Sequence, residues 1–142
     1  MREILFRGKR IDNGEWVEGS LIMWPDGATD ICYSENDSFV EMMKTIIDPA
    51  SVGQFTGLTD KNGKKIFKGD IGRYKQTDGA TQNGKPITCI GKVIYNAKTA
   101  SFAVESKDEA GRKYFDYFPI KDFEVIGNIH DNPELIGGGE SG

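Results

Sequence analysis

The sequence predicts a mainly β, antiparallel fold, and three observations predict it. Isoleucine occurs fifteen times against four leucines, and β-branched side chains suit a pleated backbone better than a helix because two groups on Cβ restrict χ1. Eight phenylalanines, five tyrosines and two tryptophans accompany them. Eighteen glycines punctuate the 142 residues, and five follow Asn or Asp: Asn13-Gly14, Asp26-Gly27, Asn62-Gly63, Asp78-Gly79 and Asn83-Gly84. A two-residue type I′ turn needs positive φ at both central positions, which these pairs tolerate, so each marks a candidate hairpin. The architecture expected is an SH3-like or small-barrel C-terminal half over 52–130, an N-terminal β-hairpin region over 1–48 packed on it, and one or two short helices.

In chain order, residues 3–10 and 15–24 flank Asn13-Gly14 and carry apolar residues near a period of two (Ile4, Phe6; Trp16, Leu21, Met23), which predicts a first hairpin. Residues 29–33 form a short strand. The stretch 39–47 is ambiguous, because Phe39, Met42, Met43, Ile46 and Ile47 fit a helical stripe as well as an irregular strand. Asp48-Pro49-Ala50-Ser51 ends it as a turn or one-turn helix, since the residue before proline is pushed out of the helical region. A tighter hairpin follows, 55–58 and 64–67 around Asp60-Lys61-Asn62-Gly63, and Gly69-Asp70-Ile71 opens a barrel strand through Tyr74. The polar, Gly-rich stretch 77–85 reads as a connection, and 87–95, 101–105, 114–118 and 123–129 supply four further strands. Asn132-Pro133-Glu134 offers an N-cap, a proline suited to the first helical position and an acid near the positive end of the dipole. Residues 137–142 are expected to be a disordered tail, leaving a single β domain over 1–136 with sub-lobes 1–48 and 52–130.

The size, 15.7 kDa, excludes a multidomain enzyme. No apolar run approaches the roughly 20 residues of a spanning helix, and Met1-Arg2-Glu3 is not followed by a signal-peptide core, so a cytoplasmic protein without membrane contact is expected. A net charge of −4 and a pI near 5.1 argue against a dedicated nucleic-acid binder. Charge is nevertheless segregated. Arg2, Arg7, Lys9 and Arg10 stand against Glu3 in residues 1–10, and Asp26, Asp30, Glu35, Asp37, Glu41 and Asp48 against Lys44 in 26–48. That separation points to a charged docking surface or to head-to-tail self-association.

The run from Val52 to Ile71, containing Gln54-Phe55-Thr56-Gly57-Leu58-Thr59-Asp60-Lys61-Asn62-Gly63 and Phe67-Lys68-Gly69-Asp70-Ile71, closely resembles the signature of the YopX family of phage and prophage proteins. The opening Arg2-Glu3-Ile4-Leu5-Phe6-Arg7-Gly8-Lys9 and the closing run from Glu124 to Leu135 resemble that family's terminal motifs, in the same order. Residues 26–45 and 77–115 depart most freely. The resemblance implies a small, strand-rich protein encoded by bacterial viruses or their integrated genomes, acting in the bacterial host cell. It supplies no catalytic residues.

The residues themselves carry no reaction centre. His130 is the only histidine and stands in a turn beside Asp131; a general base needs a partner to activate and a cleft. There is no Gly-x-Ser-x-Gly elbow and no phosphate-binding glycine loop. Cys32 and Cys89 belong to no Cys-x-x-Cys pair, so no zinc ligand set exists, and both are expected reduced and buried. Asp60-x-Asn62-Gly63 imitates a calcium loop, but its first ligand position falls on Leu58 and its glutamate position on Gly69. No catalytic, metal or cofactor-binding residues are therefore assigned, and no cofactor is expected. The leading expectation is a non-catalytic module that binds an unidentified host or phage protein or self-associates, with Trp24 as the exposed anchor. The alternative is an accessory single-stranded nucleic-acid binder, in which Lys61, Lys64, Lys65 and Lys68 track phosphates while Phe55 and Phe67 stack on bases. An enzyme of unrecognised type is the third reading, and it requires a cleft with convergent polar groups.

Overall fold

The computed structural model describes residues 2–36, 42–82, 85–108 and 110–137, with 77–82 and 85 as backbone. Its strands are β1 (Phe6–Lys9), β2 (Trp16–Met23), β3 (Thr29–Ser34), β4 (Met42–Ile46), β5 (Gly53–Thr59), β6 (Lys65–Phe67), β7 (Asp70–Gln82), β8 (Lys85–Asn96), β9 (Ser101–Lys107), β10 (Lys113–Tyr117) and β11 (Glu124–Asn128). The chain divides into two compact units, Met1–Gly57 and Leu58–Gly142. Among the described residues no helix is long and apolar enough to cross a membrane.

In the first unit the antiparallel order is β4-β3-β2-β1-β5. The far end of β4 returns to the end of β1: Arg10 bridges Ile47, and the Ile11 and Asp48 amides donate to the Ile46 and Lys9 carbonyls. The curl encloses Ile31 and Ile47, both fully buried. Gly8 permits it, because a Cβ there would run into the Ile47 side chain. Buried Ser51 ties the Pro49–Ser51 3-10 turn to β1, its Oγ accepting from the Lys9 amide at 2.8 Å. The ambiguous stretch 39–47 is therefore strand from Met42 to Ile46, and Phe39 lies outside the described residues.

The second unit is built on a sheet of order β10-β9-β8-β7-β11, again antiparallel. Its core gathers Ile66, Tyr74, Cys89, Val93, Val104 and Phe123, with Phe118 and Ile120 packed against it. Gly72 pairs with Gly91 across β7 and β8. The Phe123 ring lies where a Cβ of Gly72 would be, and the Ser106 hydroxyl and Glu105 carbonyl crowd the equivalent point at Gly91. The missing side chain at Gly72 thus lets the ring lie on the sheet, and that at Gly91 lets β9 approach.

Three expectations are corrected. The barrel over 52–130 does not close: β10 and β11 are the outer strands and do not pair among the described residues. The 118–123 connection carries Phe118, Ile120 and Phe123 onto the core, so side chains cover the sheet face that backbone pairing would otherwise enclose. Residues 77–82 are not a connection but the end of β7, and Asp78-Gly79 lies within it. The β7–β8 register shifts between Gln76, opposite Ile87, and Thr81, opposite Pro86, so Asp78-Gly79 falls in an irregular stretch of β7 with no partner on β8; Asn83-Gly84 lies outside the described residues. No α-helix forms at 132–135. A 3-10 turn, Pro133–Ile136, stands there, and the Asn132 side chain accepts from the Asn128 amide instead of capping it. Of the expected disordered tail only Gly137 is described, in the left-handed conformation that ends this turn.

The turn type differs too. Lys61, Asn62 and Gly63 form a three-residue hairpin loop between Asp60 and Lys64, in which the Gly63 amide donates to the Asp60 carbonyl and the Asp60 amide to the Lys64 carbonyl. Trp24 to Ala28 and Asp108 to Arg112 repeat those backbone bonds. In such a loop only the final glycine takes positive φ, +82° at Gly63 and +94° at Gly27, so Asn or Asp is selected for its side chain and not for left-handed backbone.

Candidate interaction cleft

Strand register decides what faces the concave side of the second unit. Tyr74 stands opposite Cys89, and Ser106 opposite Tyr114. Their polar atoms meet beside a cleft of about 1000 Å³, lined by Gln76, Ile87, Cys89, Arg112, Tyr114 and Asp116 among others. The Tyr74 hydroxyl donates to Asp116 Oδ2 at 2.5 Å and lies 3.0 Å from Ser106 Oγ. Gln76 Nε2 reaches Asp116 Oδ1 at 3.4 Å. The Cys89 thiol touches the Tyr114 hydroxyl at 3.5 Å, Gln76 Oε1 at 3.8 Å and the Ile87 carbonyl at 3.8 Å. A smaller hollow of about 440 Å³ shares Gln76, Phe115 and Asp116 with it.

These contacts define the chemistry. Burial and then the Asp116 carboxylate push the Tyr74 phenol far above its ordinary value, so it is a permanent donor. Tyr114 is pushed up to about 12, first by its hydrogen bond with Cys89 and then by burial. Cys89 has an amide, a phenol and a carbonyl as its neighbours, none of them a base. His130 lies in the turn after β11, its amide donating to Asn128 Oδ1, and does not line the cleft. Among the described residues no three His, Cys, Asp or Glu side chains converge as a metal site. The cleft offers hydrogen-bond acceptors, the carboxylates of Asp108 and Asp116, the cations Lys107 and Arg112, and aromatic walls, which is an inventory for recognition.

The sequence-predicted residues fall elsewhere. Trp24 is in the first unit, 46% exposed, with Nε1 donating to Asp30 Oδ2 at 2.8 Å and Lys44 Nζ 5.7 Å from its ring centroid. Met23, Met42, Met43 and Ile46 of the same unit are also exposed. Lys61, Lys64 and Lys68 are exposed and Lys65 is half-buried. Lys61 lies 3.8 Å from Glu124, whose carboxylate Arg73 engages at 2.9 Å and holds below its ordinary range. Phe55 and Phe67 are buried and present no face for stacking. The basic N-terminal block is similarly engaged at home: Arg7 lies over the Trp16 ring at 4.7 Å, and Arg10 pairs with Asp12 at 3.1 Å. Sequence reasoning missed Gln76, Tyr114 and Asp116 because their meeting depends on the register of strands 40 residues apart.

The signature-like run from Val52 to Ile71 is structural hardware. Asp60 Oδ1 accepts the Asn62 and Lys64 amides and Oδ2 the Val125 amide, all at 2.9 Å. Fully buried Asp70 accepts the Phe67 amide at 2.8 Å. Gly69 joins two strands, its amide donating to the Val93 carbonyl and its carbonyl accepting from the Ile129 amide.

Comparison with known proteins agrees with the resemblance in the sequence. A family model described as YopX protein matches residues 5–137. The crystal structure of protein EF1440 from Enterococcus faecalis is similar, with a TM-score of 0.50 and 22% identity over 96% of this chain and 99% of that one, a likeness of fold alone. No curated protein matches the sequence.

Proposed function

The chain belongs to the YopX family, and from that premise we propose that it is a phage- or prophage-encoded, non-catalytic protein-interaction module of the bacterial cytoplasm. Its binding face is the concave cleft of the second unit, and its partner is a host or phage protein. One observation carries the reading: the cleft assembles acceptors and aromatic walls around Asp116, while its thiol has no base beside it. Such a site recognises without transforming. The buried Phe55 and Phe67 and the Lys61–Glu124 pairing weigh against single-stranded nucleic acid as the ligand.

The test is capture by the tagged chain from lysate of its bacterial host, with and without nuclease, using the wild type beside Phe115→Ala and Asp116→Asn. A stoichiometric protein that survives nuclease and is lost in both cleft variants supports the reading. Nucleic acid recovered instead, and released by salt, would overturn it. A hydrolytic or transfer activity abolished by Cys89→Ser would revive the enzyme.

Self-association is a second reading, favoured by the exposed Met23, Trp24, Met42, Met43 and Ile46 of the first unit. Light scattering over a hundredfold concentration range decides it, and a strict monomer throughout removes it.

A further inference from the structure

We propose that β10 is a docking edge for an extended segment of the partner protein, and that this segment places an arginine or lysine against Asp116. The inference rests on the interaction reading above and names what the cleft takes. Three features support it. Among the described residues β10 pairs with β9 alone and is the outer strand of its sheet, so its other edge is available for strand addition. The two hollows of the concave face meet on β10 at Phe115 and Asp116, which gives an added strand places for its side chains.

The third feature is chemical. Asp116 Oδ1 has only the long 3.4 Å bond from Gln76, and Gln76 Oε1 only a thiol at 3.8 Å. Two strong acceptors are thus held by weak donors, side by side, next to the Tyr114 ring. A guanidinium, with five donors in a planar fork, satisfies both and also stacks on an aromatic face. Local charge directs it to the larger cleft. The larger cleft sets Lys107 and Arg112, the latter paired with Asp108 at 2.8 Å, against the two carboxylates of Asp108 and Asp116, whereas the smaller hollow sets Lys75 and Lys121 against Asp116 alone and repels a cation more strongly.

The probe is a blocked seven-residue peptide alternating threonine and valine around a central arginine, with the citrulline peptide as its neutral isostere. Binding to the full chain is followed by amide chemical-shift changes at Gln76, Cys89 and Tyr114 and by hydrogen-exchange protection of β10. The expected result is saturable binding of the arginine peptide, at least about tenfold tighter than the citrulline peptide, reduced by a similar factor in Asp116→Asn. Equal affinity for the two peptides overturns the cation assignment while leaving the interaction reading to its own capture test. Binding without protection of β10, or no binding of either peptide, overturns the docking edge. If Asp116→Asn does not fold, the arginine–citrulline comparison on the wild type decides alone.

Discussion

Replacing Asp60 with alanine is expected to be among the most destabilising single changes in the second unit. Its side chain is 7% exposed and accepts three backbone amides. Two bonds close its own hairpin loop; the third, from Val125, spans 65 positions of sequence and fastens that loop to β11. A bond to a charged acceptor contributes about 1.5–3 kcal/mol and a local turn bond nearer 0.5 kcal/mol, so the loss is about 3 kcal/mol. With a urea m-value of about 2 kcal/mol/M this lowers the midpoint by about 1.5 M. Asp108 is a built-in control, since it opens a hairpin loop of the same kind, with Gly111 at +82° like Gly63, and accepts the Ala110 and Arg112 amides but no distant one. Asp108→Ala should shift the midpoint much less. Unfolding followed by tyrosine near-ultraviolet dichroism in a Tyr33→Phe background reads the second unit, while Trp16 and Trp24 read the first. The pH dependence supplies a second check. Burial raises the Asp60 pKa, but the Val125, Lys64 and Asn62 amides outweigh it and hold the carboxyl below its ordinary range. The stabilisation is then present above the unfolded value of about 3.9 and is lost as pH falls through the lower folded value. Asp60→Asn should lack that acid-side loss. Equal shifts for the Asp60 and Asp108 variants would refute the argument that the Val125 bond matters.

Further outcomes follow from the same packing. Gly72→Ala should cost about 2 kcal/mol or more by forcing Phe123 off the sheet, whereas Gly14→Ala, with open space but a φ of +73°, should cost about 1 kcal/mol; thermal unfolding of both variants checks the contrast. Alkaline titration should show the tyrosine linkage. Because Tyr114 is raised to about 12 and the unfolded phenol titrates near 10, stability should be full below about pH 10 and fall as pH rises toward 12, less steeply in Tyr114→Phe. Tyr74→Phe should cost about 1–3 kcal/mol by taking away the hydroxyl that donates to Asp116 and accepts from Ser106, and Asp116→Asn in the same background should then cost less than it does alone, as a double-mutant cycle would register.

The all-β class and most strand positions were legible in the residues, because β-branched content, period-two patterns and Asx-Gly turns act over a few positions at a time. The hairpins centred on 11–14, 25–27 and 61–63 are where local chemistry placed them. Local chemistry misjudged 77–82 and 132–136. A polar, glycine-bearing strand end is indistinguishable from a loop until its partner strand is known, and a single turn of backbone is too short to choose α over 3-10. The family resemblance identified the run from Val52 to Ile71, yet only the coordinates show that Asp60, Gly69 and Asp70 act there as fasteners.

The cleft was not legible at all. Tyr74, Gln76, Cys89, Tyr114 and Asp116 are ordinary residues in sequence, spread over three strands, and no spacing rule joins them. Both cysteines were expected to be buried; Cys89 is, Cys32 on β3 is only half-buried, and nothing local shows that Cys89 abuts Gln76 and Tyr114. By itself the sequence determined which segments become strands and where the chain reverses, since those are properties of neighbouring residues and of backbone dihedrals. Tertiary structure alone decided which strands adjoin, in which register, and therefore which side chains share a face. Register couples distant positions through backbone hydrogen bonds that every residue can make alike, so the composition of a strand leaves its partner unspecified.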